Sequence, residues 1–100
     1  MILLVQQRAE IAIRSLGVQT EEQLWQALHR LVALQEDAFK ADPGVHEVKL
    51  PGDPQKTRYM CWLSAEYRAI GFLEDRDTLV VEDIFSRKRL QRMLPGLEHI

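Results

Sequence analysis

Apolar residues recur along this chain with two different periods, and the change between Phe39 and Arg58 divides it into a helical first part and a sheet-forming second part. Ile2-Leu3-Leu4-Val5-Gln6 is a short run of strand formers and predicts a first or edge strand. From Gln7 the spacing becomes helical. Ala9, Ile13 and Leu16 share one side with Ala12 beside them, Arg8, Glu10 and Arg14 take the other positions, and Gly17 offers a stop. Thr20-Glu21-Glu22-Gln23 then has the form of a capping box with acids in the first turn. It predicts a second helix from Thr20 to about Lys40, ~30 Å long at ~1.5 Å per residue. Leu24, Leu28, Leu31, Leu34 and Ala38 form its apolar stripe, widened by Trp25, Val32 and Phe39.

Asp42-Pro43-Gly44 ends that helix, and Pro51-Gly52-Asp53-Pro54 is a second turn-rich patch. Val45 to Leu50 between them reads equally as strand or loop. Arg58 to Leu63 reads as a strand, and Ser64-Ala65-Glu66 as a tight link. Tyr67 to Leu73 and Thr78 to Phe85 flank the polar cluster Glu74-Asp75-Arg76-Asp77, the signature of a β-hairpin, with Asp75 and Asp77 suited to a type I turn. Leu90, Met93 and Leu94 return to helical spacing before Pro95-Gly96, so Ser86 is placed to cap a short last helix. The pattern predicts one α+β domain over residues 1–100, in the order β-α-α-β-β-β plus a short C-terminal helix. Two N-terminal helices pack on one face of a small, twisted, mostly antiparallel sheet.

Composition narrows the functional classes. At 46% hydrophobic and 28% charged the chain suits a single domain with one modest core. The single cysteine, Cys61, excludes an intramolecular disulfide framework and a cysteine-based zinc cluster, which makes a reducing cytoplasm the expectation. Met1 to Val5 is too short for a signal peptide or a membrane span. A net charge of −2 argues against a generally basic nucleic-acid binder, so any anion site must be local. Ser86-Arg87-Lys88-Arg89-Leu90-Gln91-Arg92 supplies one, with four cations in seven residues and no acid. Cations at a helix start oppose the dipole, whereas amide dipoles and cations directed alike suit a phosphate; a solvated basic tail or a surface for an acidic partner is the plainer alternative.

Val48-Lys49-Leu50, Tyr67-Arg68-Ala69-Ile70, and Val80-Val81 leading into Ile84-Phe85-Ser86-Arg87-Lys88, in this element order, resemble the RelE/ParE superfamily of toxins from bacterial toxin–antitoxin modules. The last stretch resembles the HigB branch. The resemblance implies a type II toxin, a metal-independent endoribonuclease (mRNA interferase) that acts on mRNA, usually ribosome-bound, uses no small-molecule cofactor, and is neutralised by a cognate antitoxin. A ribose 2′-hydroxyl attacks the neighbouring phosphate, which requires a proton acceptor, cations on the phosphorane and a donor for the leaving oxygen. Arg68 and Arg87 match family positions for the cations, with Lys88 as a third. His46 is the substitute for the proton-transfer group, because Phe85, Ser86 and Leu90 stand where relatives carry Tyr or His. Lys49, Arg58, Arg89 and Arg92 are the expected RNA contacts. Where relatives often carry a further arginine this chain has Trp62 or Leu63. The alternative within the same fold is a non-catalytic binding module, either a ParE-like topoisomerase inhibitor or a degenerate toxin that only binds an antitoxin.

Several of these residues also have ordinary structural explanations. With Leu73 facing Leu79, Arg68 opposes Ile84 and has Glu82 diagonal to it, an ion pair compatible with a phosphate role. His29 and His99 have no partner motif, Cys61 suits a small buried apolar group, and Trp25 and Trp62 read first as core anchors. Glu82 and Asp83 inside a strand require partners, since buried carboxylates are costly alone.

Overall fold

The computed structural model describes residues 1–93. Strand β1 (Ile2–Val5) leads into helices α1 (Gln7–Arg14), α2 (Val18–Val32) and α3 (Glu36–Ala41), followed by strands β2 (Val45–Leu50), β3 (Asp53–Trp62), β4 (Tyr67–Glu74) and β5 (Thr78–Ser86), and helix α4 (Arg87–Met93). The five strands form one sheet in the order β1-β5-β4-β3-β2. β2 to β5 are an antiparallel meander, and β1 lies parallel along β5. Leu94, Pro95-Gly96 and His99 lie outside the described residues.

The helical part differs from its sequence pattern at both ends of α2. The helix begins at Val18 with Gly17 as N-cap, so Thr20 lies inside the first turn and makes no cap. Gly17 has φ +90, a value open to glycine at little cost, and it turns the chain before the capping-box residues are reached. The helix expected to run to Lys40 breaks after Val32 and resumes as α3. Nothing in Ala33-Leu34-Gln35 forbids a helix. The break redirects the chain so that Phe39 sits edge-on against Tyr59 of β3, with ring centroids 5.4 Å apart.

Val45 to Leu50 is a strand because it has a partner: it pairs with β3 from Val45↔Cys61 to Leu50↔Asp53. The patch expected at residues 51–54 shrinks to a two-residue link, and β3 takes in Asp53 and Pro54. The β4–β5 link has positive φ at Asp75 (53) and Arg76 (64), with the Asp77 N–H donating to the Glu74 carbonyl at 3.3 Å. Positive φ at both central positions makes it a type I′ turn rather than type I, which matches the right-handed twist of the flanking strands.

Alternation along the strands divides the sheet into two faces. Tyr59, Cys61, Leu63, Ala69, Leu79, Val81 and Ile84 join Ala9, Ile13, Leu24, Leu28, Leu31 and Phe39 in the main core, so α1, α2 and α3 cover the same face. On the opposite face Val48, Met60, Ile70 and Phe85 form a smaller cluster closed by Leu90 of α4. Between Ile70↔Asp83 and Gly71↔Val81 the register shifts by one, and Glu82 is the extra residue of a β-bulge. Glu82 and Asp83 thereby both border the second face.

Candidate functional site

The second face carries the polar chemistry, organised around the link Ser64-Ala65-Glu66. The Ser64 hydroxyl accepts from the backbone N–H groups of Glu66 and Tyr67, both at 3.2 Å, which makes the turn compact. Its carbonyls then point at cations. Arg68 Nη1 donates to the carbonyl oxygens of Ser64 (2.6 Å), Tyr67 (3.2 Å) and Ala65 (3.4 Å). The Arg87 backbone N–H donates to the Glu66 carbonyl at 2.7 Å and pins the start of α4 to the same link. Arg68 is 2% exposed, lies 3.8 Å from the centroid of the Trp62 ring, and leaves its buried Nε without a partner. Burial first, and then the neighbouring Arg87 charge, lower the Arg68 pKa, so the two cations feel one another.

The expected Arg68–Glu82 pair does not form. The bulge sets Arg68 opposite Phe85, not Ile84, and Glu82 pairs instead with Arg58 of β3, at 2.8 Å to Nε and 3.4 Å to Nη2. Asp53 stands 3.5 Å from Arg58 Nη1. Arg58 is 9% exposed, with its pKa raised chiefly by the Glu82 hydrogen bond, so this expected RNA contact is a brace spanning β3 to β5. Asp83 accepts from the Ile84 N–H at 2.8 Å and lies 3.7 Å from Arg8. Glu82 and Asp83 border a cleft of about 410 Å³ lined also by Gln6, Leu50, Ile70 and Phe85.

The exposed cations gather at α4. The Ser86 hydroxyl accepts from the Arg89 N–H at 3.1 Å, the N-cap its sequence suggests, and Arg89 lies 5.2 Å from the Phe85 ring centroid. Arg87, Lys88, Arg89 and Arg92 are all exposed. Lys49 lies apart on β2, donating to Thr57 Oγ1 at 2.9 Å. His46 is half-buried on β2 opposite Met60, which puts it on the same face as Arg68 but two strands away and one row along. At ~4.8 Å per strand and ~3.4 Å per residue the two Cα atoms are roughly 12 Å apart. Tyr59 and Tyr67 belong to the helix-covered face. Trp62, which reads from sequence as a core anchor, is 43% exposed on the second face. Its alternation with Met60 was the available signal, usable only once the covered face of β3 is known. Among the described residues no three His, Cys, Asp or Glu side chains are grouped as metal donors.

Neither a protein-family model nor a curated protein sequence matches this chain. Solved structures do. A chain of the intact E. coli RelBE toxin–antitoxin complex superposes with a TM-score of 0.50 at 22% identity, covering 83% of this chain and 92% of that one. This chain has the RelE-like toxin fold. A metal-bound toxin from Helicobacter pylori shares that fold with a TM-score of 0.57 at 14% identity, covering 90% of this chain and 98% of that chain. The RelE-like layout expected from Tyr67-Arg68 and Phe85-Ser86-Arg87-Lys88 is therefore the architecture found. Among the described residues no helix is long and apolar enough to cross a membrane.

Proposed function

We propose that this chain is a HigB-like toxin of a type II toxin–antitoxin module, and that it is a metal-independent endoribonuclease acting on mRNA at the ribosome in the cytoplasm. The observation that carries the proposal is the convergence at one link of buried Arg68 and the start of α4, with Arg87, Lys88 and Arg89 exposed around it. Arg87 and Lys88 offset charge on the phosphorane as the 2′-hydroxyl attacks, and Arg68, whose Nη1 is committed to carbonyls, supplies a fixed positive field beneath them. His46 accepts the hydroxyl proton across the open face, with the substrate lying over Trp62 between them. A cognate antitoxin covers this basic end.

Attack by the 2′-hydroxyl, with water protonating the departing 5′-oxygen, leaves a 2′,3′-cyclic phosphate and a 5′-hydroxyl. Purified protein incubated with RNA in EDTA, with and without ribosomes, is expected to give those ends. The commitment of Arg68 Nη1 to backbone carbonyls favours the second reading, a non-catalytic binder of the same fold. Inhibition of gyrase supercoiling without RNA cleavage under any condition would establish that reading instead.

A further inference from the structure

Trp62 has an unusual setting for an exposed tryptophan. One face of its ring is backed by the Arg68 guanidinium at 3.8 Å, and that guanidinium is held by three carbonyls. On its other side the neighbour in the sheet is Gly44, whose carbonyl accepts the Trp62 N–H at 2.8 Å and which carries no side chain to cover the ring. A Cβ built on Gly44 would lie 3.3 Å from the Trp62 Cβ and from Asp42 Oδ2, so even a methyl there would be crowded at the base of the Trp62 side chain. The ring is therefore rigidly supported from one side and 43% exposed. Trp62, Arg68 and Phe85 occupy one row across β3, β4 and β5, with Arg89 over Phe85 at its far end. At ~4.8 Å per strand the row is roughly 10 Å long, so the exposed Trp62 ring stands about that far from Arg89, which lies over the buried Phe85.

We infer that Trp62 is a stacking platform for one unpaired base of an RNA strand whose phosphates lie at the Arg87–Arg89 end, and that it thereby sets which phosphodiester is presented. The inference rests on the nuclease reading and adds to it the residue that positions the substrate. A single-stranded nucleic acid is the occupant because every nucleotide links a π face to an anion, matching an exposed aromatic ring with a cation cluster further along the same row. Support by Arg68 means little side-chain freedom is lost when a base stacks.

The test uses a Trp25→Phe protein, in which Trp62 is the sole tryptophan, since the chain has two. The probes are a short 2′-O-methyl RNA, which lacks the attacking hydroxyl, and an oligomer of the same backbone without bases. The RNA is expected to quench Trp62 fluorescence and to bind tighter than the base-less oligomer. Trp62→Leu should weaken RNA binding roughly 5- to 150-fold, the loss of one base stack, while leaving the weaker base-less binding unchanged. Trp62→Phe should retain part of the affinity, and thermal melting followed by circular dichroism checks that both variants fold; if Trp62→Leu does not, the quenching and Trp62→Phe decide. Equal binding of both oligomers, or no effect of Trp62→Leu, would overturn the inference while RNA cleavage by the unmodified protein left the nuclease reading standing. Absence of both binding and cleavage would overturn both, and a loss confined to a protein complex would make Trp62 a partner contact instead.

Discussion

Replacing Glu82 with Leu tests whether the bridge to Arg58 is a brace of the sheet. Arg58 is 9% exposed, and its guanidinium meets both carboxylate oxygens, at 2.8 and 3.4 Å. Removing the carboxylate strands a buried cation, a change worth ~3–5 kcal/mol where burial is complete. The Glu82 side chain is 24% exposed and Asp53 stands 3.5 Å from Nη1, so water and a second carboxylate offset part of the loss. The lower end, about 3 kcal/mol, is expected, equivalent to a fall of roughly 12–24 °C in Tm for a domain this size. Arg58→Leu combined with Glu82→Leu removes both charges together and should return stability to within ~1 kcal/mol of the native chain. Urea unfolding of the two single variants and the double variant gives a coupling energy of ~2 kcal/mol or more. A cost below about 1 kcal/mol for Glu82→Leu refutes the brace, and loss of RNA binding by Arg58→Leu at unchanged stability would restore Arg58 as an RNA contact.

Arg87→Ala should reduce RNA cleavage by ~10²-fold or more with stability changed by less than ~0.5 kcal/mol, and Arg87→Lys should recover part of the rate, since an ammonium keeps the charge but loses the planar fork. Equal rates for Arg87→Ala and the unmodified protein in single-turnover assays would remove Arg87 from the site. Leu28→Ala and Leu31→Ala, at two fully buried positions of α2, should each cost ~2–5 kcal/mol in urea unfolding. Gly71→Ala would bring a Cβ to 2.2 Å from the Val80 carbonyl oxygen at the bulge, so a loss of about 1–3 kcal/mol is expected; an unchanged melting temperature would mean that the bulge yields freely. The Arg30 hydrogen bond, and then the Gly44 N–H, lower the Asp42 pKa below 3.8. Its stabilisation is therefore fully present above that unfolded value and is lost as pH falls through the lower folded value. Asp42→Asn should flatten the decline of stability in that acid range, and an unaltered profile would mean that the bond contributes nothing.

Local interactions were legible in the sequence because they act within a few residues. The strand character of Tyr67 to Phe85, the apolar stripe of Leu24, Leu28 and Leu31, and the Ser86 cap on Arg89 each follow from neighbours along the chain. The resemblance in Tyr67-Arg68 and in Phe85-Ser86-Arg87-Lys88 likewise pointed to the fold and to the basic end. Cross-strand partners were not legible, because they depend on register, and one extra residue in β5 changes register. That bulge took Glu82 from Arg68 and gave it to Arg58. Val45 to Leu50 became a strand only by pairing with β3, and α2 broke after Val32 although its residues favour helix, because Phe39 packs on Tyr59. The exposure of Trp62 was decided last, by which face of β3 the three helices cover. Spacing along a chain determines which residues share a face, whereas only the packed structure decides which face meets solvent and which charge meets which.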